Sequence, residues 1–336
     1  MSDKRNSMRA KKPKQAPASK SLNPTAQQLA FWQIPEKGFS RTADLYDFVP
    51  RFVFGKLGKD DYDKNNIPKP IDRKFSYDNQ NYSVYIGVAQ LKNEENSGEF
   101  VYRLPGKRER IIEDVLRKFA VNGKTYSIDN RLGVIFTEAD LYNELKERGH
   151  TFKYSEIREA LQVLTNTVIN LKRIIGPKHE QLLSEPFMTG AAETLEEWKG
   201  SGEKTAHLMF FNSQVKESII KLTYRKYNYE LCMSYKNELC VYLHKRLSQN
   251  FIQASWDTCY EINLSTLYAG CGLKTQKYLC WDNKKVVMAL DEMKEKEVVR
   301  EWSVKKLDND YQYKIFAHRK FCNEMKGSNA EQLKLK

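Results

Sequence analysis

One arrangement occurs twice in this chain, and it constrains the fold more than any other feature. Residues 154–171 read YSEIREALQVLTNTVINL, and residues 283–302 read NKKVVMALDEMKEKEVVREW. Each is a helical pattern with an Ala-Leu pair in its middle, Ala160-Leu161 and Ala289-Leu290. Each has a large apolar residue three positions later, Leu164 and Met293. Each runs into a β-branched pair that starts a strand, Val168-Ile169 and Val298-Val299. A shorter helical segment and a glycine-containing turn precede each copy: TEADLYNELKERGHTFK before the first, NLSTLYAGCGLK before the second.

Helix, turn, helix, strand is the order of a winged helix-turn-helix, whose second helix can enter a DNA major groove. Two copies on one chain predict a protein that grips two stretches of one duplex. The fold class expected is α+β, mainly helical: two tandem winged-helix domains with a disordered basic N-terminal arm. The charge agrees with such a partner. Among 336 residues, 56 Lys/Arg stand against 43 Asp/Glu, a net charge of +13. That favours a polyanion, without choosing between DNA, RNA and an anionic membrane surface. No apolar run is long enough for a transmembrane helix, and the charged N-terminus lacks the apolar core of a secretory signal. A cytoplasmic protein without membrane contact is expected.

Residues 1–26 form the arm. Its first 24 residues carry seven Lys/Arg, one Asp and three prolines, too polar to bury a core. Residues 27–105 read as a lead-in with a possible short hairpin. The first winged-helix domain spans 106–222 and opens with a helix at 108–121, where Ile111, Ile112, Val115, Leu116 and Phe119 share a face. The second domain spans 223–320, with Leu239, Leu243 and Leu247 as the stripe of its first helix. Residues 321–336 read as a frayed tail.

A recognition helix needs a buried stripe and, opposite it, side chains that reach. In the first copy these are Lys153, Tyr154, Ser155 and Arg158, with Gln162 as a weaker candidate. In the second they are Lys274, Thr275, Gln276, Lys277, Lys284 and Lys285. Arg can bond guanine with two parallel N–H groups, while Ser, Tyr and Lys hold phosphates or base edges. Tyr278 and Trp281 fit either packing or contact. Lys305 and Lys306, on the second wing, are expected at phosphates.

Catalytic readings find little support. SGEKT at 201–205 lacks the spaced glycines of a phosphate-binding loop. The DND at 308–310 falls at a hairpin tip, where Asp and Asn serve the turn. The five histidines are scattered, and no histidine pair sits beside a tyrosine as a nicking enzyme requires. The six cysteines form no CxxC pair, so neither a zinc site nor a cofactor is expected. No enzymatic activity is expected.

Beyond the doubled pattern, YEINLSTLYAGCGLKTQKYLCWDNKKVVMALDEMKEKEVVREW, FTEADLYNELKERGHTFKYSEIREALQVLTNTVINL and PGKRERIIEDVLRKFA resemble plasmid replication initiators of the TrfA/RepA type, over roughly residues 25–318. The resemblance implies binding to direct repeats (iterons) of double-stranded origin DNA. It further implies help in opening the origin, recruitment of the host helicase and initiation machinery, copy-number control, and a possible homodimer. It also gives a meaning to QLAFW at 28–32. Gln28, Leu29, Phe31 and Trp32 resemble a peptide that docks on the bacterial sliding clamp, with Trp32 where that peptide has a smaller residue. The alternative function is a winged-helix repressor acting at its own or a neighbouring promoter.

Overall fold

The computed structural model describes residues 23–34, 36–92, 98–128, 130–191 and 206–334. Most of the arm expected at 1–26, and the SGEKT segment, lie outside them.

The chain opens with helix α1 (Ala26–Trp32) and strand β1 (Phe39–Arg41). Two hairpins follow: β2 (Ile71–Tyr77) with β3 (Gln80–Ile86), then β4 (Ala89–Lys92) with β5 (Phe100–Arg103). Asp78 and Asn79 turn the first of these at positive φ, the two-residue turn that suits twisted strands. Helix α2 (Lys107–Phe119) comes next, then strands β6 (Thr125–Ile128) and β7 (Arg131–Thr137). The first helix-turn-helix is α3 (Glu138–Glu147) and α4 (Tyr154–Asn166). Thr137 starts α3 with a capping box: its hydroxyl accepts from the Asp140 amide, and the Asp140 carboxylate accepts from the Thr137 amide. Gly149, at φ +79°, turns the chain toward α4.

The first wing is the hairpin β8 (Val168–Ile175) and β9 (Lys178–Pro186). It does not stand alone. β3 pairs with β8, giving the sheet order β2-β3-β8-β9, so the expected lead-in supplies half of the wing sheet. Strands β10 (Met188–Ala191) and β11 (Ala206–Phe211) join β7 and β6 in a second four-stranded sheet, order β10-β11-β7-β6. Helix α5 (Ser213–Ile220) leads out of it.

The second half runs β12 (Lys226–Asn228), the short α6 (Tyr229–Met233), α7 (Glu238–Asn250), β13 (Cys259–Asn263), α8 (Leu264–Cys271) and α9 (Leu279–Glu295). Its wing is β14 (Val299–Lys306) and β15 (Tyr311–Ala317), in a three-stranded sheet of order β13-β15-β14. The tail expected to fray is helix α10 (Arg319–Leu333). Phe321 and Met325 are buried, and Glu331 bonds both Arg41 and Lys226 across the chain.

The expectation of a mainly helical protein is corrected: the fold is mixed α+β, with 41% helix, 30% strand and five sheets among the described residues. β2 alternates along its length, but Arg73 shares its inward side with Ile71, Phe75 and Tyr77, which weakens the apolar signal in the sequence. Its outer residues are charged or polar, and only Phe75 and Tyr77 are buried.

The centre of the molecule is α2. Its apolar face is buried as the periodicity predicts, but so are Glu109, Arg110, Glu113, Asp114, Arg117 and Lys118. The charged face is covered partly by the second half of the chain and partly by the segment around Asp47 and Arg51. Lys245 of α7 donates to Asp114 at 2.6 Å, Arg110 pairs with Glu238 at 2.6 Å, and Arg51 pairs with Glu113 at 3.1 Å. Arg117 lies on Asp47. Buried charges persist where each finds a partner. Here Lys245 and Glu238 join the second half to this helix, and Asp47 and Arg51 join the N-terminal segment to it.

Candidate nucleic-acid interface

α4 buries Ile157, Ala160, Leu161, Val163 and Leu164 against α2 and the β4–β5 hairpin. The remaining stripe is exposed: Lys153, Tyr154, Ser155, Arg158, Gln162 and Asn166. Steps of three and four residues bring these to one side of the helix. The first-copy candidates are thus gathered on one surface. Tyr154 stacks on Tyr142 with centroids 4.8 Å apart, which fixes its ring. The Lys153 amide donates to Glu156 at 2.7 Å and anchors the first turn.

Arg158 is held in a way the sequence did not reveal. Its Nε and Nη2 donate to the two carboxylate oxygens of Glu138 at 2.8 and 2.9 Å. Those bonds hold the Glu138 carboxyl below its usual range. Glu138 is the first residue of α3, so the first helix of the motif presets the plane of the guanidinium on the second. Beside it, Glu159 receives bonds from Arg103 at 2.8 Å and Arg108 at 3.1 Å. Burial works to raise the Glu159 carboxyl, but these bonds outweigh it and lower it.

In the second copy the candidates fall into two groups. Lys274, Thr275, Gln276 and Lys277 lie in the exposed loop before α9, whereas Lys284 and Lys285 lie on its exposed face. The helix itself starts at Leu279, so the first four candidates precede it. The loop is fixed from beneath. Asp282 is fully buried, and its carboxylate accepts from the Gln276 amide at 2.9 Å. Lys274 pairs with Asp61 at 3.2 Å. The Gly58 amide and then Lys274 hold the Asp61 carboxyl below its usual range. Lys305 and Lys306 are exposed at the end of β14, opposite Gln312 and Tyr311. Asp310 of the DND turn accepts from the Ser265 amide at 3.2 Å and hydroxyl at 2.5 Å, tying the wing tip to α8.

Tyr278 and Trp281, which the sequence left open, are exposed, as is Met288. Met288 was missed; its position seven residues after Trp281, two helical turns along, was the available signal.

The peptide at 28–32 forms most of α1 and is seated on the body of the protein. Trp32 is fully buried, edge to face with Tyr224 at 5.3 Å. Leu29 packs on the core. The Gln28 side chain accepts from the Thr25 amide at 2.7 Å and donates to the Ile220 carbonyl at 2.7 Å. The Phe31 side chain lies outside the described residues.

Among the described residues no cluster of His, Cys, Asp and Glu is arranged to hold a metal ion, and no helix is long and apolar enough to cross a membrane. Four cysteines, Cys232, Cys240, Cys271 and Cys322, are buried thiols whose ionisation is pushed up by burial.

No family model matches this chain, and no curated protein matches it significantly. The chain is distantly similar to some solved structures. The Pi initiator protein, in complex with iteron DNA, is 10% identical, with 63% of this chain and 91% of that chain covered at a TM-score of 0.40. Domains 2 and 3 of RctB are 11% identical, with 82% of this chain and 96% of that chain covered at a TM-score of 0.43. A second structure of the same RctB domains gives 10%, 81%, 96% and 0.41.

Proposed function

We propose that this chain is a non-enzymatic replication initiator that binds direct repeats in origin DNA through α4 and α9. One observation carries the reading. Two helix-turn-helix units, each with a reaching stripe on its second helix and a hairpin after it, are tied into one body on a strongly basic chain. In this reading α4 and the α9 region meet successive major grooves, roughly 34 Å apart, on one face of the duplex. Lys305, Lys306 and the loop lysines hold phosphates.

Origin opening, copy control, dimerisation and recruitment of the host helicase belong to the same proposal. Docking of Gln28, Leu29, Phe31 and Trp32 on the sliding clamp would require α1 to leave its seat, since Trp32 is buried and Gln28 is bonded at both ends of its amide. That step is proposed as coupled to release of the N-terminal segment. The protein would act in the bacterial cytoplasm, on plasmid or nucleoid DNA.

The test is quantitative footprinting of the purified chain on DNA flanking its own gene, at about 150 mM salt, where non-specific phosphate binding is weakened. Protection of several direct repeats phased by whole helical turns is the expected result. Protection of a single inverted repeat would replace the initiator with a repressor. Uniform, salt-sensitive coating would remove sequence-specific recognition altogether.

A further inference from the structure

The exposed side of α9 carries groups that a purely ionic DNA-binding surface does not need. Tyr278, Trp281 and Met288 are 49%, 52% and 60% exposed. Trp281, Lys284, Lys285 and Met288 recur at steps of three and four residues and so share one face. Packing within the chain uses the other face, where Val286, Ala289, Leu290 and Met293 are buried. The rings of Tyr278 and Trp281 meet edge to face, centroids 4.9 Å apart at 79°. Below them the buried Asp282 accepts from the Gln276 amide, and the Tyr268 hydroxyl donates to the Asp282 carbonyl. The first turn of α9 and the loop before it are therefore held together, with the two rings outward.

Aligning Ala160-Leu161 with Ala289-Leu290 shows how the two helices differ. Ser155 corresponds to Lys284, Arg158 to Val287, Glu159 to Met288 and Gln162 to Asp291. At two of these four positions the second helix is apolar where the first is charged: Val287 stands for Arg158 and the exposed Met288 for Glu159. The major groove offers one apolar feature, the 5-methyl group of thymine. Around the strip, Lys277, Lys284 and Lys285 are exposed, with Lys305 and Lys306 on the adjoining wing, complementary in charge to phosphates.

We propose that the two units divide the reading of each repeat: α4 bonds base edges, while Trp281 and Met288 of α9 recognise thymine methyl groups. This rests on the DNA-binding function proposed above and adds the chemistry that its second half selects.

The test uses two random-sequence duplex libraries, identical except that one contains thymine and the other uracil throughout. Uracil lacks only the 5-methyl group. The full chain is used to select from both, and retention of the enriched duplexes is compared in their thymine and uracil forms. The expected result is a motif with fixed T·A pairs on one side and a polar-read half on the other. Retention should fall roughly threefold to tenfold on uracil replacement, the scale expected when one or two methyl groups are removed from an apolar surface. Met288→Ala with Trp281→Ala should abolish the thymine–uracil difference, and Arg158→Ala should preserve it. Equal retention of both forms by the unaltered protein would overturn the inference and leave the function standing. A difference that survives the Met288/Trp281 variant would overturn the assignment to this strip. Enrichment from neither library would overturn the function and this inference together.

Discussion

The Arg158 guanidinium is bonded edge to edge with the Glu138 carboxylate, and this geometry sets what its loss should do. A preset planar donor gives up little side-chain freedom when it meets a base edge. Arg158→Ala should weaken binding to the protected repeats by about 1–3 kcal/mol and relax preference at a single base pair, as read by competition titration. Loss of affinity spread evenly over all sequences would instead make Arg158 a phosphate contact. Lys305 and Lys306 are expected to behave in that second way. Replacing both with Ala should weaken binding to specific and random duplex alike, and reduce the slope of log K against log salt by about one to two. An unchanged salt slope would take the second wing off the DNA. At this scale the sequence was informative about which residues reach, because exposure follows helical spacing. It did not reveal Glu138, Asp61 or Asp282 as their partners. Those bonds join residues 20 and 213 positions apart, or a loop to a helix turn whose register only the fold supplies.

The turn between α8 and α9 shows how an element is aimed. Gly272 sits at φ +74°, and its amide donates to the Tyr268 carbonyl at 3.0 Å to end α8. The first half of the chain presses on it. Arg73 of β2 donates to the Pro50 and Phe52 carbonyls at 2.6 Å, and burial pushes its guanidinium down to about 10. A Cβ on Gly272 would lie 2.5 Å from Arg73 Nη1 and 3.1 Å from the Phe52 carbonyl. Gly272→Ala should therefore cost about 1–2 kcal/mol for the left-handed backbone alone, with a further loss as Arg73 is displaced. Thermal unfolding should show the drop, and DNA affinity should fall with it because the turn aims α9. Unchanged stability would mean that the contact yields freely. Glycine at such a turn was legible from the sequence; that residues 50–73 would form its floor was not. The same holds for α1. Its apolar letters could be read as a docking peptide, but whether Trp32 faces a partner or Tyr224 depends on a surface built about 190 residues later.

At the scale of the whole molecule, the buried charges around α2 make stability depend on pH. Burial works to raise the Asp47 and Asp114 carboxyls, but Arg117 and Lys245 beside Asp47, and Lys245 and Arg110 beside Asp114, outweigh it and hold both low. His244 is fully buried, and burial with Lys245 adjacent pushes it down to about 3 from an ordinary 6.5. In all three cases the unfolded chain takes up protons at a higher pH than the folded one. Stability therefore falls with acidification. The histidine contribution should be lost progressively from about pH 6.5 toward 3, and the carboxylate contribution below about 4. Urea midpoints measured from pH 7 to 4 should decline, and His244→Leu should flatten the part above pH 4.5. A flat profile in the unaltered protein would show that these groups are not buried as described.

What the sequence determined by itself was local and periodic. The paired helices, their buried stripes, the glycine turns and the β-branched strand starts each follow from a repeat of 3.6 or 2 residues and from backbone preferences acting within a dozen positions. What only the tertiary structure decided was non-local. β3 completes the first wing sheet, α10 packs where a frayed end was expected, and the charged face of α2 is buried because α7 supplies Lys245. An ionic helix face looks solvated in sequence, since nothing in its spacing tells water from a partner 131 residues away. Burial of a paired charge is decided by the geometry of both partners, and that geometry exists only once the chain has folded.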